Sequence, residues 1–149
     1  MSANQLNETS LRIERDIAAP VEKVFQAWTD PKMITQWMGP GPLQCSKAEV
    51  DLKVGGKYAI HMTGRMEGEE QEHIAIGKYT EIVPNKRLQF TWTWKDSPMP
   101  DTLVTLEFQK KGNATRLVLL HENFPAKEAA EKHTEGWNGC LEKLAGLFS

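Results

Sequence analysis

Between Lys47 and His121 the chain alternates apolar and polar residues at a period of two, and near its end that period gives way to the period of a helix. Ala48, Val50 and Leu52 alternate with Lys47, Glu49, Asp51 and Lys53. Tyr58, Ile60 and Met62 alternate with Lys57, Ala59, His61 and Thr63. Leu88, Phe90, Trp92 and Trp94 alternate with Gln89, Thr91, Thr93 and Lys95. Val104, Leu106 and Phe108 repeat the pattern, and Thr115 to His121 is a last strand, apolar enough at 117–120 to be covered on both faces. An acidic loop is read over Arg65–Gln71, with a strand from His73 to Ile82. Strands joined by turns as short as Gly55–Gly56, Pro84–Asn85 and Lys111–Gly112–Asn113 run antiparallel, and each buries one face. Beyond Asn123–Phe124–Pro125, residues Trp137, Cys140, Leu141, Leu144 and Phe148 fall at i, i+3, i+4, i+7 and i+11, the stripe of one helix face. That helix is expected from near Ala126 to the end, about 22 residues or ~33 Å. A single apolar sheet face needs a cover, and this helix supplies it.

Upstream, Met1–Ser10 reads as a solvated arm. Leu11, Ile13 and Ile17 form a strand whose apolar face Arg15 interrupts. Pro20 suits the first turn of a helix, because its missing N–H would have no partner there. Val21, Val24, Phe25 and Trp28 then follow at helical spacing. Asp30–Pro31 signals a second short helix carrying Met33, Ile34 and Trp37. Met38–Gly39–Pro40–Gly41–Pro42 ends it. The order β–α–α, six strands, α predicts an α+β fold: a curved antiparallel sheet wrapped around a long C-terminal helix, with two short helices after the first strand. Residues 1–10 are expected to be an arm and 11–149 one domain.

With 18 basic and 20 acidic residues spread along the chain, no basic stripe marks a nucleic-acid surface. No apolar run reaches the roughly 18–20 residues that span a bilayer. The polar start lacks the shape of a secretion signal, so the cytoplasm is the expected compartment. Cys45 and Cys140, with no metal-ligand spacing, are expected as buried, reduced thiols. Four histidines without HxH, HExxH or His–Cys spacing argue against a metal site, and no cofactor is expected.

Several segments together carry a family resemblance. They are Ala19–Pro20 with Val24–Phe25–Gln26–Ala27–Trp28–Thr29–Asp30–Pro31 and Trp37; Asp51–Leu52–Lys53–Val54–Gly55–Gly56; and Gly77–Lys78–Tyr79 through Pro84 to Leu88 and Trp92. Thr115–Arg116–Leu117, His121–Glu122–Asn123–Phe124 and Glu135–Gly136–Trp137 with Leu141 and Leu144 complete the set. In this order they resemble the helix-grip, START-like superfamily (SRPBCC), in the branch named after the activator of the ninety-kilodalton heat-shock chaperone's ATPase. The resemblance spans roughly residues 11–149. It implies a cavity between the concave sheet face and the last helix. It does not imply one function, since similar domains bind lipids or polyketides, act as aromatase/cyclases, sequester drugs or assist chaperones.

The residues themselves point to an aromatic face. Phe90, Trp92 and Trp94 share one side of a strand, Trp137 faces them from the helix, and Tyr58 and Tyr79 join from neighbouring strands. Such a face either packs solid or lines an apolar pocket whose indole and phenol groups orient a ligand. Candidate lining residues are Met62, Tyr79, Phe90, Trp92, Trp94 and Leu106, with Leu119, His121, Trp137, Leu141 and Leu144. His121 is read as inward-pointing, His73 as sharing the inner face with Tyr79, His61 as exposed and His133 as lying at the pocket mouth. Met33, Met38 and Met99 look exposed and are candidates for a mobile lid or for core filler. Glu67, Glu69, Glu70 and Glu72 read as a solvated hairpin tip, with a protein-docking patch as the alternative.

The leading expectation is therefore non-catalytic binding of a small apolar or aromatic molecule. A cyclase- or hydrolase-type enzyme using His121 or His73 as acid/base is the second. A chaperone-interacting module is the third. The resemblance implies help from an additional N-terminal domain for chaperone binding, and only ten residues precede Leu11, which ranks that reading lower.

Overall fold

A computed structural model describes residues 8–149 of the chain. Of the expected arm, residues 1–7 lie outside the described residues. The expected element order is found. β1 (Leu11–Ile17) leads to α1 (Val21–Thr29) and α2 (Pro31–Ile34). Six strands follow: β2 (Gln44–Val50), β3 (Lys57–Met66), β4 (Glu69–Val83), β5 (Arg87–Trp94), β6 (Thr102–Lys111) and β7 (Ala114–Glu122). The chain closes with α3 (Lys127–Leu147). The seven strands make one antiparallel sheet in the order β1-β7-β6-β5-β4-β3-β2. Every neighbour follows in sequence except β1 and β7, so α1 and α2 carry the chain from one sheet edge to the other. The result is a helix-grip α+β fold, an open curved sheet closed round α3.

Local chemistry sets these boundaries. Asp30 caps α2, its carboxylate accepting the Lys32 N–H at 2.9 Å, and Pro31 takes the first helical position. α3 spans 21 residues and buries Ala130, Trp137, Cys140, Leu141 and Leu144. The hairpin between β3 and β4 differs from the loop expected over 65–71. Arg65 pairs with Glu70 and Met66 with Glu69. The turn itself is only Glu67–Gly68, both with positive φ (52° and 80°), the geometry that matches the twist of a two-residue hairpin. Leu52, read as part of a strand, lies beyond β2 and is exposed.

The apolar faces meet in one core. Tyr58 leans across Gly77 to donate its hydroxyl to the Thr91 carbonyl at 2.5 Å. A β-carbon on Gly77 would sit 2.0 Å from that carbonyl oxygen and 2.8 Å from the Tyr58 ring, so only glycine fits. Gly136 and Gly139 of α3 approach a loop. A β-carbon on Gly139 would lie 3.4 Å from both Gly41 N and Pro40 Cα.

Lys143 fastens that same loop. Its ammonium donates to the carbonyls of Gly39 (2.6 Å) and Leu43 (2.8 Å). This anchor draws Met38 into the core at 2% exposure, so Met38 is neither exposed nor part of an outer lid. Met33 and Met99 pack partly buried against the same core. Because hydrogen bonds to charged donors are the stronger ones, Lys143→Met should cost about 1–2 kcal/mol in urea unfolding. It should also speed amide exchange at Leu43, whose N–H bonds the Pro40 carbonyl. Unchanged protection at Leu43 would show that the loop holds without the lysine.

Candidate binding site

Between the inner sheet face and the first half of α3 lies a cleft of about 730 Å³, within the roughly 300–1,000 Å³ of small-molecule sites. Its floor is Met38, Leu43, Met62 and Met66, and its walls are Trp92, Trp94 and Trp137. Polar side chains gather at the mouth, among them Gln71, His73, Lys95, Asp96 and Lys132. The strand period explains the walls. Trp92 and Trp94 are two apart on β5 and share a face, and their rings meet edge-on at 5.4 Å. Trp137 reaches down from α3 to within 5.0 Å of Trp92, centroid to centroid.

Two indole–imidazole hydrogen bonds tie α3 to the sheet in opposite directions. Trp137 on the helix donates its N–H to Nδ1 of His121 on β7 at 3.0 Å. Trp94 on β5 donates its N–H to Nε2 of His133 on the helix at 3.0 Å. The remaining nitrogens are also engaged. Thr102 gives its hydroxyl hydrogen to the Trp92 carbonyl at 2.6 Å, so the 2.6 Å contact between Thr102 and His121 Nε2 assigns the ring hydrogen to Nε2. His133 Nδ1 lies 2.8 Å from the Ala129 carbonyl and is assigned as its donor. Phe124 lies against both imidazoles, with centroids at 4.2 and 4.7 Å.

This wiring requires both histidines to be neutral. Burial pushes the pKa of His121 well below the ordinary histidine value, and the neighbouring His133 pushes it further. Burial lowers His133 as well, partly offset by its bond to Ala129. Each ring has one N–H donor and one acceptor nitrogen, and all four positions are occupied. Neither has a nitrogen left to exchange a proton with a substrate, which counts against the acid/base role considered for His121. His73 is exposed at the mouth, its Nε2 2.9 Å from Gln71 Oε1. His61 faces outward but is half-buried rather than exposed, between Glu49 and Glu72.

Of the residues proposed from sequence, Met62, Trp92, Trp94 and Trp137 border the cleft. Tyr79 and Phe90 border a separate, much smaller void of about 10 Å³ behind it. His121 sits behind Trp137 with no exposure. Leu106, Leu119, Leu141 and Leu144 are likewise fully buried, in the solid part of the core under the second half of α3. Sequence reasoning missed Leu43, Met66, Gly136 and Cys140 as lining. The spacing of His133, Gly136 and Cys140 at i, i+3 and i+7 was the available signal. Burial raises the Cys140 thiol to about 11 and also raises that of Cys45, and both cysteines are free. A second depression, about 660 Å³, lies on the convex face, where Val50, Ala59 and Ile76 sit among the charged Glu49, Asp51, Lys57, Lys78 and Asp101, and no tryptophan walls it.

Comparison with known proteins places these features in a family. The family described as "Activator of Hsp90 ATPase homolog 1-like protein" matches residues 18–149. The chain belongs to this family. Among solved structures, a protein of Chromobacterium violaceum is 28% identical with a TM-score of 0.81, over 94% of this chain and 96% of that one. An AHSA1 protein of Silicibacter pomeroyi is 30% identical with a TM-score of 0.80, over 92% and 95%. CalU16 of Micromonospora echinospora is 27% identical with a TM-score of 0.70, over 93% and 74%. No curated protein matches the chain. Membership in the Activator of Hsp90 ATPase homolog 1-like family supports a ligand-binding or chaperone-associated role in general. Among the described residues, no helix is long and apolar enough to cross a membrane.

Proposed function

We propose that this domain binds a small apolar or aromatic molecule in the cleft between the sheet and α3, without transforming it. The observation that carries the reading is the cleft itself, walled by three tryptophans and floored by methionine and leucine, with polar groups only at its mouth. Apolar enclosure supplies affinity through burial, roughly 25 cal/mol for each Å² of ligand surface removed from water. Methionines adapt their shape to a guest at little cost. The fully committed histidines favour binding over catalysis. Two free, unreactive thiols suit a reducing, cytoplasmic setting.

The test is an NMR titration with a panel of fatty acids and polycyclic aromatics, reading the indole N–H signals. Saturable shifts are expected at Trp94 and Trp137, which wall the cleft. Trp37 should stay still, because it does not line the cleft. Flat spectra across the panel would sink the reading and turn attention to a protein partner, with the acidic β3–β4 tip as the first surface to examine.

A further inference from the structure

The mouth of the cleft differs in charge from its interior. Lys95, on the loop after β5, and Lys132, on α3, both line it, and Asp96 is the one acid among the described residues that do. Two ammoniums against one carboxylate leave a single net positive charge at the rim. Sheet and helix are held at this separation by the immediate neighbours of the two lysines, Trp94 N–H bonding His133 Nε2 at 3.0 Å.

Lys95 reaches the rim because the strand ends before it. Strand alternation would send it to the face opposite Trp94. Instead the Ser97 N–H bonds the Trp94 carbonyl at 3.2 Å and Asp96 has φ 64°, so Lys95 sits in a tight turn. Its own N–H is tied to the Ile74 carbonyl at 2.8 Å. Lys132 lies one helical turn before Gly136, which also lines the cleft. Lysine stems cover apolar surface while the ammonium stays in water, which suits both to the rim of an apolar site. Neither forms an ion pair among the described residues, although Glu128 and Glu135 lie a turn away from Lys132 on α3. Glu72, beside Gln71 on β4, turns to the outer face and meets His61.

The interior offers an ionised group no partner. Its floor is methionine and leucine, the Trp94 and Trp137 N–H groups are given to His133 and His121, and the Trp92 indole nitrogen is sealed away. A charge buried there unpaired is strongly disfavoured. At the rim, hydrogens to donate are plentiful. Gln71 Oε1 accepts from His73 at 2.9 Å and Ser97 Oγ accepts the Met99 N–H at 3.2 Å. The Gln71 amide and Ser97 hydroxyl hydrogens therefore remain, beside the two ammoniums.

We infer that the cleft takes amphipathic carboxylic acids, with the apolar or aromatic body inside and the carboxylate between Lys95 and Lys132. This rests on the cleft being a ligand site and adds the head group. A monoanion balances the net charge of the rim. A phosphate monoester, carrying about 1.5–2 negative charges at neutral pH, overshoots it.

Naphthylacetic acid, naphthylacetamide and naphthylmethylamine, attached at the same ring position, share a body and differ in head-group charge. At low salt the acid should bind the wild-type protein roughly 5- to 30-fold more tightly than the amide, and the amine most weakly. About 0.5 M salt should erase most of that ratio, because the rim is open to solvent. Lys95→Gln and Lys132→Gln should each narrow the acid-to-amide ratio about 2- to 5-fold, and the double variant should abolish it, whatever happens to absolute affinity. In the acid complex, nuclear Overhauser contacts should join the naphthyl ring to Met62 and Trp137 and the probe's methylene to Lys95. Equal affinity for acid and amide, an acid preference that survives in the double variant, or tightest binding of the amine overturns the inference while leaving the cleft a ligand site. A complex with the methylene against Met62 and the ring outside likewise overturns it. If no probe binds at all, the cleft reading falls and this one falls with it.

Discussion

Trp137→Ala is expected to lower unfolding free energy by about 4 kcal/mol and to abolish ligand binding. The residue is 3% exposed, and its ring sits 5.0 Å from Trp92 and 5.8 Å from Trp28. Truncation thus removes a large buried surface and one wall of the cleft at once. It also strips His121 Nδ1 of its donor in a site without solvent. Trp137→Phe separates the two effects, keeping most of the volume while deleting the N–H. It should cost about 1–3 kcal/mol, the price of one buried acceptor left alone. Urea denaturation at neutral pH reads both. If the phenylalanine variant matched wild type, the bond to His121 would contribute nothing and the clasp would be a packing contact only.

The second large effect is a loss of stability in mild acid. His121 and His133 are neutral in the fold, with pKa values lowered by burial, whereas in the unfolded chain they titrate near the ordinary value of about 6.5. Below that pH the unfolded state binds protons that the folded state refuses, so stability falls as pH falls. It is fully present above about pH 6.5 and declines until the folded-state value is reached. For a histidine still neutral in the fold, the drop from about pH 7.5 to about pH 5 amounts to about 2 kcal/mol. His121, the more deeply buried of the two, contributes more of this fall than the partly exposed His133. The groups facing His121 are Thr102 from β6, Trp92 from β5, and Trp137 and His133 from α3, with Phe124 beside it. None is a carboxylate that would hold the imidazolium. The check is unfolding free energy against pH, together with the His121 ring-proton shift. A midpoint near the ordinary value for His121 in the folded protein would refute the assignment. Trp137→Phe should move His121 toward that ordinary value, since Nδ1 then meets no opposing N–H.

Much of this architecture was legible because periodicity reports directly on which face is buried. The alternation through Phe90, Trp92 and Trp94 and the helical stripe from Trp137 to Leu144 gave both the sheet and its cover. The β3–β4 tip was legible as a hairpin, but the shortness of its turn was not. Glutamates at 67, 69, 70 and 72 have low strand preference, and their charge masked a two-residue turn that Gly68 could have signalled. In the site, the period identified the inner face but could not say where along α3 the sheet draws away from it. Leu141 and Leu144 share the stripe with Trp137, yet the core closes over them and opens only beside His133, Gly136 and Cys140. Met38 misled for a related reason. Its glycine- and proline-rich surroundings suggest exposure, and the contact that buries it comes from Lys143, far away in the sequence.

The pairing of β1 with β7 also sets a clock. Asp16 on the first strand meets Arg116 on the last strand 100 positions later. A ribosome adding about 5–20 residues per second needs roughly 5–20 s to make that stretch. Until then the first strand has a bare edge and an unmatched apolar face, and α3, the lid of the core, has yet to be synthesised. The nascent chain must therefore pass through an interval in which its stickiest surfaces are open to other molecules in the cell.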